Sequence, residues 1–517
     1  MRQFISKSLI SSGAVLFLLS ACNLDRIPQN AITSENAFKT EKELNTTTMT
    51  IHFNLFNAYN SFYAMCTAGD LSDRLTTGAD VKNWSPVNIS GDWKPYYDAI
   101  FEANLLLENI NKTDNLSEDR VNFHRGQALF VKGLCYLDLV QRFGDVIITT
   151  TTDNHQPYPV SPSMDVIDES IKAGEEAYRV LPVYNDLRLY GGVRPTTKQF
   201  ASKGAAAALL AHAYAWKGSM IDLYGYEGDA KAAYQKSVEY ASLLIDGKVG
   251  NYSLYDTPQE LSDALSNSEG ENKESIFVIG FDKNRYAGAT SPNTCTEYVS
   301  WPLDSTQTPS DISFSTTAVL FKSTIDEMYP DAGDLRRSAY FYNLDDPRNT
   351  VDGETFARMN KYHTAIFESD QTAESGKVFL TIDANLDLWR LGGIILLRAE
   401  NYAKLGNEDA AIRDLNRIRE RAGAAPYPAS QDTKGVQYAV FKERERELIY
   451  ENSHRYFDIV RNGIDYVHNE LQGIFKTLTL KDIKDGALVL PVPEDAKGKG
   501  NRNTFIIQKN YWSRFGK

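Results

Sequence analysis

The chain has 517 residues, 42% hydrophobic and 24% charged, which is the make-up of a folded protein with a large core and, by length alone, room for two or three domains. A formal net charge of -13 with no long basic run argues against a nucleic-acid partner, because phosphates demand clustered Lys and Arg. Beyond Cys22, the odd and sparse set Cys66, Cys135 and Cys295 is no disulfide framework, although one pair could form in an oxidising compartment, and no two stand at metal-ligand spacing.

The first element is a leader. Arg2 and Lys7 give a positive start, and Leu9 to Leu19 is apolar but shorter than the ~20 residues that span a bilayer. Small residues then run into Leu19-Ser20-Ala21-Cys22, the layout of a bacterial lipoprotein signal. The expectation is a signal peptide over 1–21, cleavage before Cys22, and acyl chains on the thiol and new amino group of Cys22. The alternative is an ordinary secretory signal with an incidental cysteine, but Cys22 sits where the small cleavage residue of such a signal belongs. Each buried methylene contributes about 0.8 kcal/mol, so several chains on one residue anchor a soluble body outside the cytoplasm. No second stretch is apolar and long enough to span a membrane.

Residues 22–33 then read as a tether with Pro28, and helical periodicity begins at Glu35 and runs to Met65, with Ser34 available as an N-cap. Leu71 to Ser90 is rich in Asp, Thr, Gly and Asn and reads as a loop. Helices are predicted over Tyr96–Ile110 and Arg120–Phe143, the latter stopped by Gly144, and Asp145–Pro162 is a β-rich connector. Asp165–Leu181, Thr197–Leu223 and Asp229–Asp246 are further helices. From about Lys248 to Leu380 the periodicity weakens, and Gly, Pro, Asn and Asp interrupt short apolar runs such as Ile276-Phe277-Val278-Ile279. Long irregular segments of this kind usually carry function. Helices return over Leu386–Leu405 and Glu408–Ala422, joined at Gly406-Asn407. This pair resembles a tetratricopeptide unit, with small residues where helices cross, and Ala205–Trp216 with Asp229–Leu244 and Gly126–Phe143 have the same character. The spacing is irregular, and the apolar stripes read first as helix-on-helix core.

Several segments together resemble the SusD/RagB family of glycan-binding outer-membrane lipoproteins. They are Leu24-Asp25-Arg26-Ile27-Pro28 and Ala37 to Leu44; Trp93-Lys94-Pro95-Tyr96-Tyr97-Asp98-Ala99-Ile100 with Ala103-Asn104; and Ala128-Leu129-Phe130 with Tyr136 to Val146. Towards the end come Arg390-Leu391 with Ala399-Glu400, Glu443-Arg444-Glu445-Arg446-Glu447-Leu448 with Arg455 to Arg461, and Leu490-Pro491-Val492-Pro493 with Asn510-Tyr511. The closing motif departs from the family pattern, since Trp512 follows Tyr511 where a Pro-Gly precedes the tyrosine in the family. The resemblance implies a mostly α fold: a scaffold of tetratricopeptide-like helical pairs, irregular loop-rich excursions and a few short strands. It implies one SusD-like domain over 34–517, with scaffold at about 34–247 and 384–517 and the ligand-binding excursion at about 248–383. The implied partners are an oligo- or polysaccharide and a SusC-like TonB-dependent outer-membrane transporter, with the protein lipid-anchored through Cys22 and facing the cell exterior. No cofactor or metal is implied.

The charged signature has its own reading. Glu443, Arg446, Glu447, Glu451, Arg455 and Asp458 stand at three- and four-residue spacings, so on a helix they can form a ladder of ion pairs along one side, and the role expected is a structural network that locks the last helices to the scaffold, with Asp458 and Arg461 as buried partners. Acid–base machinery is the lesser reading of the same residues.

A glycan site needs flat aromatic platforms with polar groups at their edges. Two irregular stretches offer them: Asp70 to Trp84 and Asn284 to Trp301. Trp84 and Trp301 are the candidate stacking platforms, Tyr298 and Tyr286 secondary ones, and Asp73, Arg74 and Asn83 the candidate hydroxyl-bonding groups. For each tryptophan a buried loop anchor is the competing role. Trp93, Trp216 and Trp389 fall on predicted helices and read as packing residues, while Trp512 near the terminus is uninformative. The function expected is non-catalytic capture of carbohydrate for a transporter. Two other classes stay open at this point. A lipid-anchored glycosidase needs only two carboxylates ~5–9 Å apart among 68 acids. A helical scaffold of the transporter complex would bind no sugar. H-E-x-x-H, G-x-S-x-G, P-loop and dinucleotide fingerprints are absent from the sequence.

Overall fold

The computed structural model describes residues 37–60, 74–75, 91–153, 158–281, 318–351, 353–369, 371–372, 376–451, 454–494, 496 and 506–516. Cys22, the leader, the tether and Ser34 lie outside them. The first described helix, α1 (Glu41–Asn60), is opened by Thr40: its hydroxyl accepts the amide of Glu43 at 3.4 Å, and the Glu43 carboxylate returns to the amides of Lys39 and Thr40. After the two-residue strand β1 (Arg74–Leu75) come α2 (Lys94–Asn109) and α3 (Glu118–Phe143). The ribbon of β2 (Val146–Ile147) and β3 (Val160–Ser161) leads into α4 (Ser163–Val180), α5 (Lys203–Tyr224) and α6 (Ala230–Ile245). Each helix of this series packs on the next.

The boundaries have local causes. Gly144, at φ +67°, closes α3 as the sequence predicts. Ser202 and Asp229 cap α5 and α6 by accepting the amides of Ala205 and Ala232. The run Ala205–Ala208 has high helix propensity, and α5 is buried on nearly every side because α4, α6 and later helices surround it. Small residues set the closest crossings. A Cβ at Gly133 of α3 would stand 3.1 Å from the Ser170 carbonyl of α4, whose hydroxyl donates to the Gly133 carbonyl at 2.7 Å.

The stretch that the sequence leaves irregular holds short helices and most of the strands. In order these are α7 (Pro258–Leu265), β4 (Ser275–Ile279), β5 (Ala318–Phe321), α8 (Lys322–Met328) and α9 (Arg336–Tyr340). Then come β6 (Phe341–Tyr342), β7 (Thr350–Val351), β8 (Glu354–Met359), β9 (Ala365–Ser369), β10 (Lys377–Ile382) and β11 (Leu386–Arg390). A five-stranded sheet runs β1-β5-β8-β6 with β7 beside β8, and β9–β10 and β4–β11 form antiparallel pairs. The helical reading of Leu386–Leu405 is therefore corrected at its start. Residues 386–390 are strand, paired to β4, and Trp389 sits there and not on a helix.

From β11 the chain enters α10 (Leu391–Lys404) and α11 (Glu408–Ala422), then α12 (Val436–Glu447), α13 (His454–Asn462), α14 (Ile464–Glu470), α15 (Leu480–Lys484) and α16 (Asn510–Ser513). α10 packs on α6, α11 and α12, which continues the helical array across the inserted strands. The fold is mostly helical, as the family resemblance implies. No helix among the described residues is long and apolar enough to cross a membrane. Cys135 is a buried thiol of α3. Trp93 and Trp216 are packed into the core, and Trp512 is too: it is fully buried and its indole Nε1 donates to the Val489 carbonyl at 2.8 Å.

Two apolar cores result, one within the helices and a smaller one that includes Leu320, Tyr340, Met359 and Tyr362 beneath the sheet. Between them lies a connected set of ions. Asp334, Glu274, Asp432, Glu443, Glu447 and Glu451 face Arg336, Lys361, Arg390, Arg419, Arg421 and Arg446, so six carboxylates meet six cations. This is the expected network that locks the last helices to the scaffold, and it forms mostly between elements and not as a ladder along one helix. Within α12 only Arg446 and Glu443 of this set pair along the helix, at 2.8 Å; the other bonds radiate to Arg336, Arg390, Arg419 and Arg421 on other elements. Asp458 and Arg461 are buried partners as expected, sharing Arg444, Glu400 and Lys404 in a separate cluster.

Candidate functional site

Asp73, Asn83, Trp84, Tyr286, Tyr298 and Trp301 lie outside the described residues, and Arg74 is described through its backbone as the first residue of β1. The flanks of the two stretches lie within the described residues. The early segment leaves the end of α1 and returns at Trp93, which is buried against Phe143 with ring centroids 5.7 Å apart. The middle segment leaves β4 at Phe281, whose amide donates to Asn385 Oδ1 at 2.8 Å, and returns as β5. Within the early segment β1 pairs antiparallel with β5: Arg74 opposes Val319 and Leu75 opposes Ala318. Residues 74–75 thus stand beside 318–319 at one edge of the sheet, although more than 240 positions lie between them in sequence.

The sheet extends this row. Leu320 opposes Ala357 and Phe321 opposes Phe356, so the same register sets Val319 opposite Arg358, and Arg358 opposes Tyr342. Arg74 and Tyr342 therefore stand at the two ends of one row, about 14 Å apart at ~4.8 Å per strand. At the Tyr342 end sits a polar group that sequence reasoning does not single out. Arg348 Nη2 donates to Tyr342 Oη at 2.8 Å and to Asp346 Oδ2 at 2.6 Å. The hydrogen bonds from Arg348 hold the Asp346 carboxyl down at about 2. Tyr342 is half-buried beside exposed Asn343 and Asp345. A phenol ring with a guanidinium and carboxylates at its rim can stack on one face and bond hydroxyls at its edge. The only sequence signal for it was the phrase Tyr342-Asn343-Leu344-Asp345-Asp346, which reads as an ordinary turn.

Strongly shifted carboxyls sit elsewhere, in the ion network. Glu443 and Glu447 are buried, which by itself raises a carboxyl, but Arg336, Arg446 and Arg419 around the first and Arg421, Arg390 and Arg336 around the second hold both well below the usual range. Their partners are side chains from several elements, with backbone groups such as the Glu447 and Ile449 carbonyls taking further bonds from Arg390 and Lys361, which is the arrangement of a structural network. No cluster of three metal-ligating side chains occurs among the described residues.

Two family models match the chain: one described as the SusD family over residues 282–504, and one described as starch-binding associating with outer membrane over 23–215. SusD-like protein P25 of Formosa agariphila is 25% identical over 413 residues, covering 73% of this chain and 71% of that one. SusD-like protein P2 of the same organism is 23% identical, covering 93% and 95%. Among solved structures, a SusD homolog of Bacteroides thetaiotaomicron superposes with a TM-score of 0.71 at 21% identity, covering 92% of this chain and 98% of that one. NanU of B. fragilis gives 0.65 at 19% identity, covering 93% and 99%. With the helical array, the inserted sheet and both family models in agreement along the chain, the protein belongs to the SusD/RagB family and is of a kind associated with the outer membrane.

Proposed function

We infer that the protein is a lipoprotein of the outer cell surface that captures an oligo- or polysaccharide and passes it, without catalysis, to a SusC-like TonB-dependent transporter. The observation that carries this reading is the match of residues 23–215 to a starch-binding family model. In this reading Cys22 carries the lipid, residues 34–247 and 384–517 are the scaffold of one domain, and 248–383 is the ligand-bearing excursion. Trp84 and Trp301 stack on sugar rings, Tyr286 and Tyr298 extend the platform, and Asp73, Arg74 and Asn83 bond hydroxyls. What supports a single shared surface is the pairing of Arg74 and Leu75 with Val319 and Ala318, which brings a point of the early stretch beside the strand that follows the middle one.

The test is a glycan array followed by calorimetry on the chain without residues 1–22. Binding without release of shorter sugars is expected. Trp84→Ala and Trp301→Ala should each weaken it by about 1–3 kcal/mol with the circular dichroism unchanged, the usual scale for a lost aromatic anchor. Hydrolysis abolished by one carboxylate substitution would replace this reading with a glycosidase. Failure to bind any plant, microbial or host glycan would leave the scaffold role. Co-purification of a TonB-dependent barrel from outer membranes tests the transporter step separately.

A further inference from the structure

Tyr342 ends β6 on the outer face of the sheet. Its neighbour Phe341, with Leu320 and Met359, belongs to the apolar core beneath, and successive residues of a strand point to opposite faces. The Tyr342 ring is half-buried, and the Asn343 that follows is exposed. Arg348 Nη2 donates to Tyr342 Oη at 2.8 Å, and its guanidinium carbon stands 6.0 Å from the ring centroid, so Arg348 sits at the hydroxyl end and not over a ring face. That bond uses a lone pair of Oη and leaves the phenolic hydrogen to donate elsewhere; among the described residues no group accepts it. A hydroxyl that accepts from a guanidinium is also the stronger donor for it.

The turn that carries Arg348 is pinned before any ligand arrives. Asn349 is fully buried and its Nδ2 donates to the Asn343 carbonyl at 2.7 Å, and the Asp346 amide donates to the same carbonyl at 3.0 Å. Asp346 Oδ1 accepts the Arg348 amide at 2.9 Å, and Asp346 Oδ2 accepts Arg348 Nη2 at 2.6 Å. Ring, hydroxyl and guanidinium therefore hold one arrangement, which lowers the ordering cost of binding. The cations around the ring are already committed. Arg348 bonds Asp346, Arg337 bonds Asp326, and Lys322 Nζ donates to Asp326 at 3.0 Å. Arg358 is fully buried beneath the turn, where it donates to the Arg348 carbonyl. Asp345 differs from the other acids. Its side chain is 86% exposed, and its ion pair among the described residues is with Lys322 at 3.8 Å, beyond hydrogen-bond distance.

We propose that Tyr342, Asn343 and Asp345 form a further subsite, selective for an uncharged glycan: a sugar ring stacks on the part of Tyr342 that solvent reaches, the phenol donates to a sugar oxygen, and Asp345 accepts sugar hydroxyls. The proposal rests on the glycan reading above and adds to it the class of glycan. An aromatic face with a donor and an acceptor at its rim matches the apolar face and hydroxyl edge of a pyranose. An acidic sugar would find each accessible cation already bonded to a carboxylate of the chain and would meet the exposed charge of Asp345, so uronates and sulfated sugars are selected against.

The test is calorimetry on the mature chain with neutral hexasaccharides of the malto, cello, xylo, manno and laminari series and with acidic ones from pectin, alginate and hyaluronan, for wild type, Tyr342→Ala, Tyr342→Phe and Asp345→Asn. At least one neutral series is expected to bind, at least about tenfold tighter than any acidic one. Tyr342→Ala should weaken that binding at least about tenfold through the lost stack and hydrogen bond. Tyr342→Phe keeps the ring and its packing and should weaken it about three- to tenfold through the lost hydroxyl. Asp345→Asn, at an exposed position, should narrow the gap between neutral and acidic glycans at least about threefold. A preference for acidic glycans, or neutral binding within about twofold of wild type in both Tyr342 variants, would overturn the subsite and leave the glycan reading standing. Absence of binding by every member of both sets would overturn the subsite together with that reading.

Discussion

Glu447 shows how much one side chain can hold. Its carboxylate faces Arg336 at 3.3 Å, Arg390 at 2.8 Å and Arg421, all buried. Glu447→Gln should cost about 3–5 kcal/mol in urea unfolding, because it leaves buried guanidiniums uncompensated. The pH dependence has a defined sign. Glu443 and Glu447 are held below their ordinary 4.5, so their contribution is complete above that pH and is lost as the pH falls through and below it. Asp387 has the opposite sign. Burial raises it to about 7 from 3.8, despite the hydroxyl donated by Ser275, so it opposes folding increasingly as the pH rises from about 4 to 7. Asp387→Asn should therefore be more stable than wild type at pH 8 by at least about 1 kcal/mol, with the gap closing towards pH 4, as followed by thermal melts across pH.

At the scale of elements, close approach and inward-facing charge decide the architecture. Gly133 leaves room for the α3–α4 crossing, where an added Cβ would meet Leu209 at 3.0 Å and backbone atoms of Ser170 and Gly174 at 3.1 and 3.3 Å. Gly133→Val should destabilise by about 1–3 kcal/mol, read from denaturant midpoints, since a carbonyl cannot rotate away as a side chain can. The strand β11 explains a misreading. Leu386 to Arg390 are all buried, and Arg390 bonds Glu274 at 2.6 Å and Glu451 at 2.7 Å. Periodicity rules take charged residues as solvent-facing, so a strand buried on both sides with its charges paired inside merges with the helix that follows it.

Across the whole molecule, the ion network is the joint between the helical array and the sheet. Asp334, Arg336 and Lys361 come from the sheet side, and Glu443 and Glu447 from α12. Arg336→Met should loosen that joint selectively. Hydrogen exchange should speed up in β5–β8, α8 and α9 while α3–α5 stay protected; equal acceleration everywhere would instead mark one cooperative unit without an internal joint.

The sequence by itself determined the helical array and the family. Capping residues, Gly144 and the apolar spacing act over a few residues, and the family's motifs survive as short ordered phrases from Trp93 to Tyr511. The tertiary structure alone decided what depends on distant partners. Glu443 and Glu447 look like rungs on a helix until Arg336, Arg390 and Arg421 arrive from other elements. The pairing of Arg74 with Val319 is invisible in a chain where 244 positions separate them, because two-residue strands carry no period of their own. Local periodicity reports which face is buried, and what that face meets is settled when remote segments close on one another.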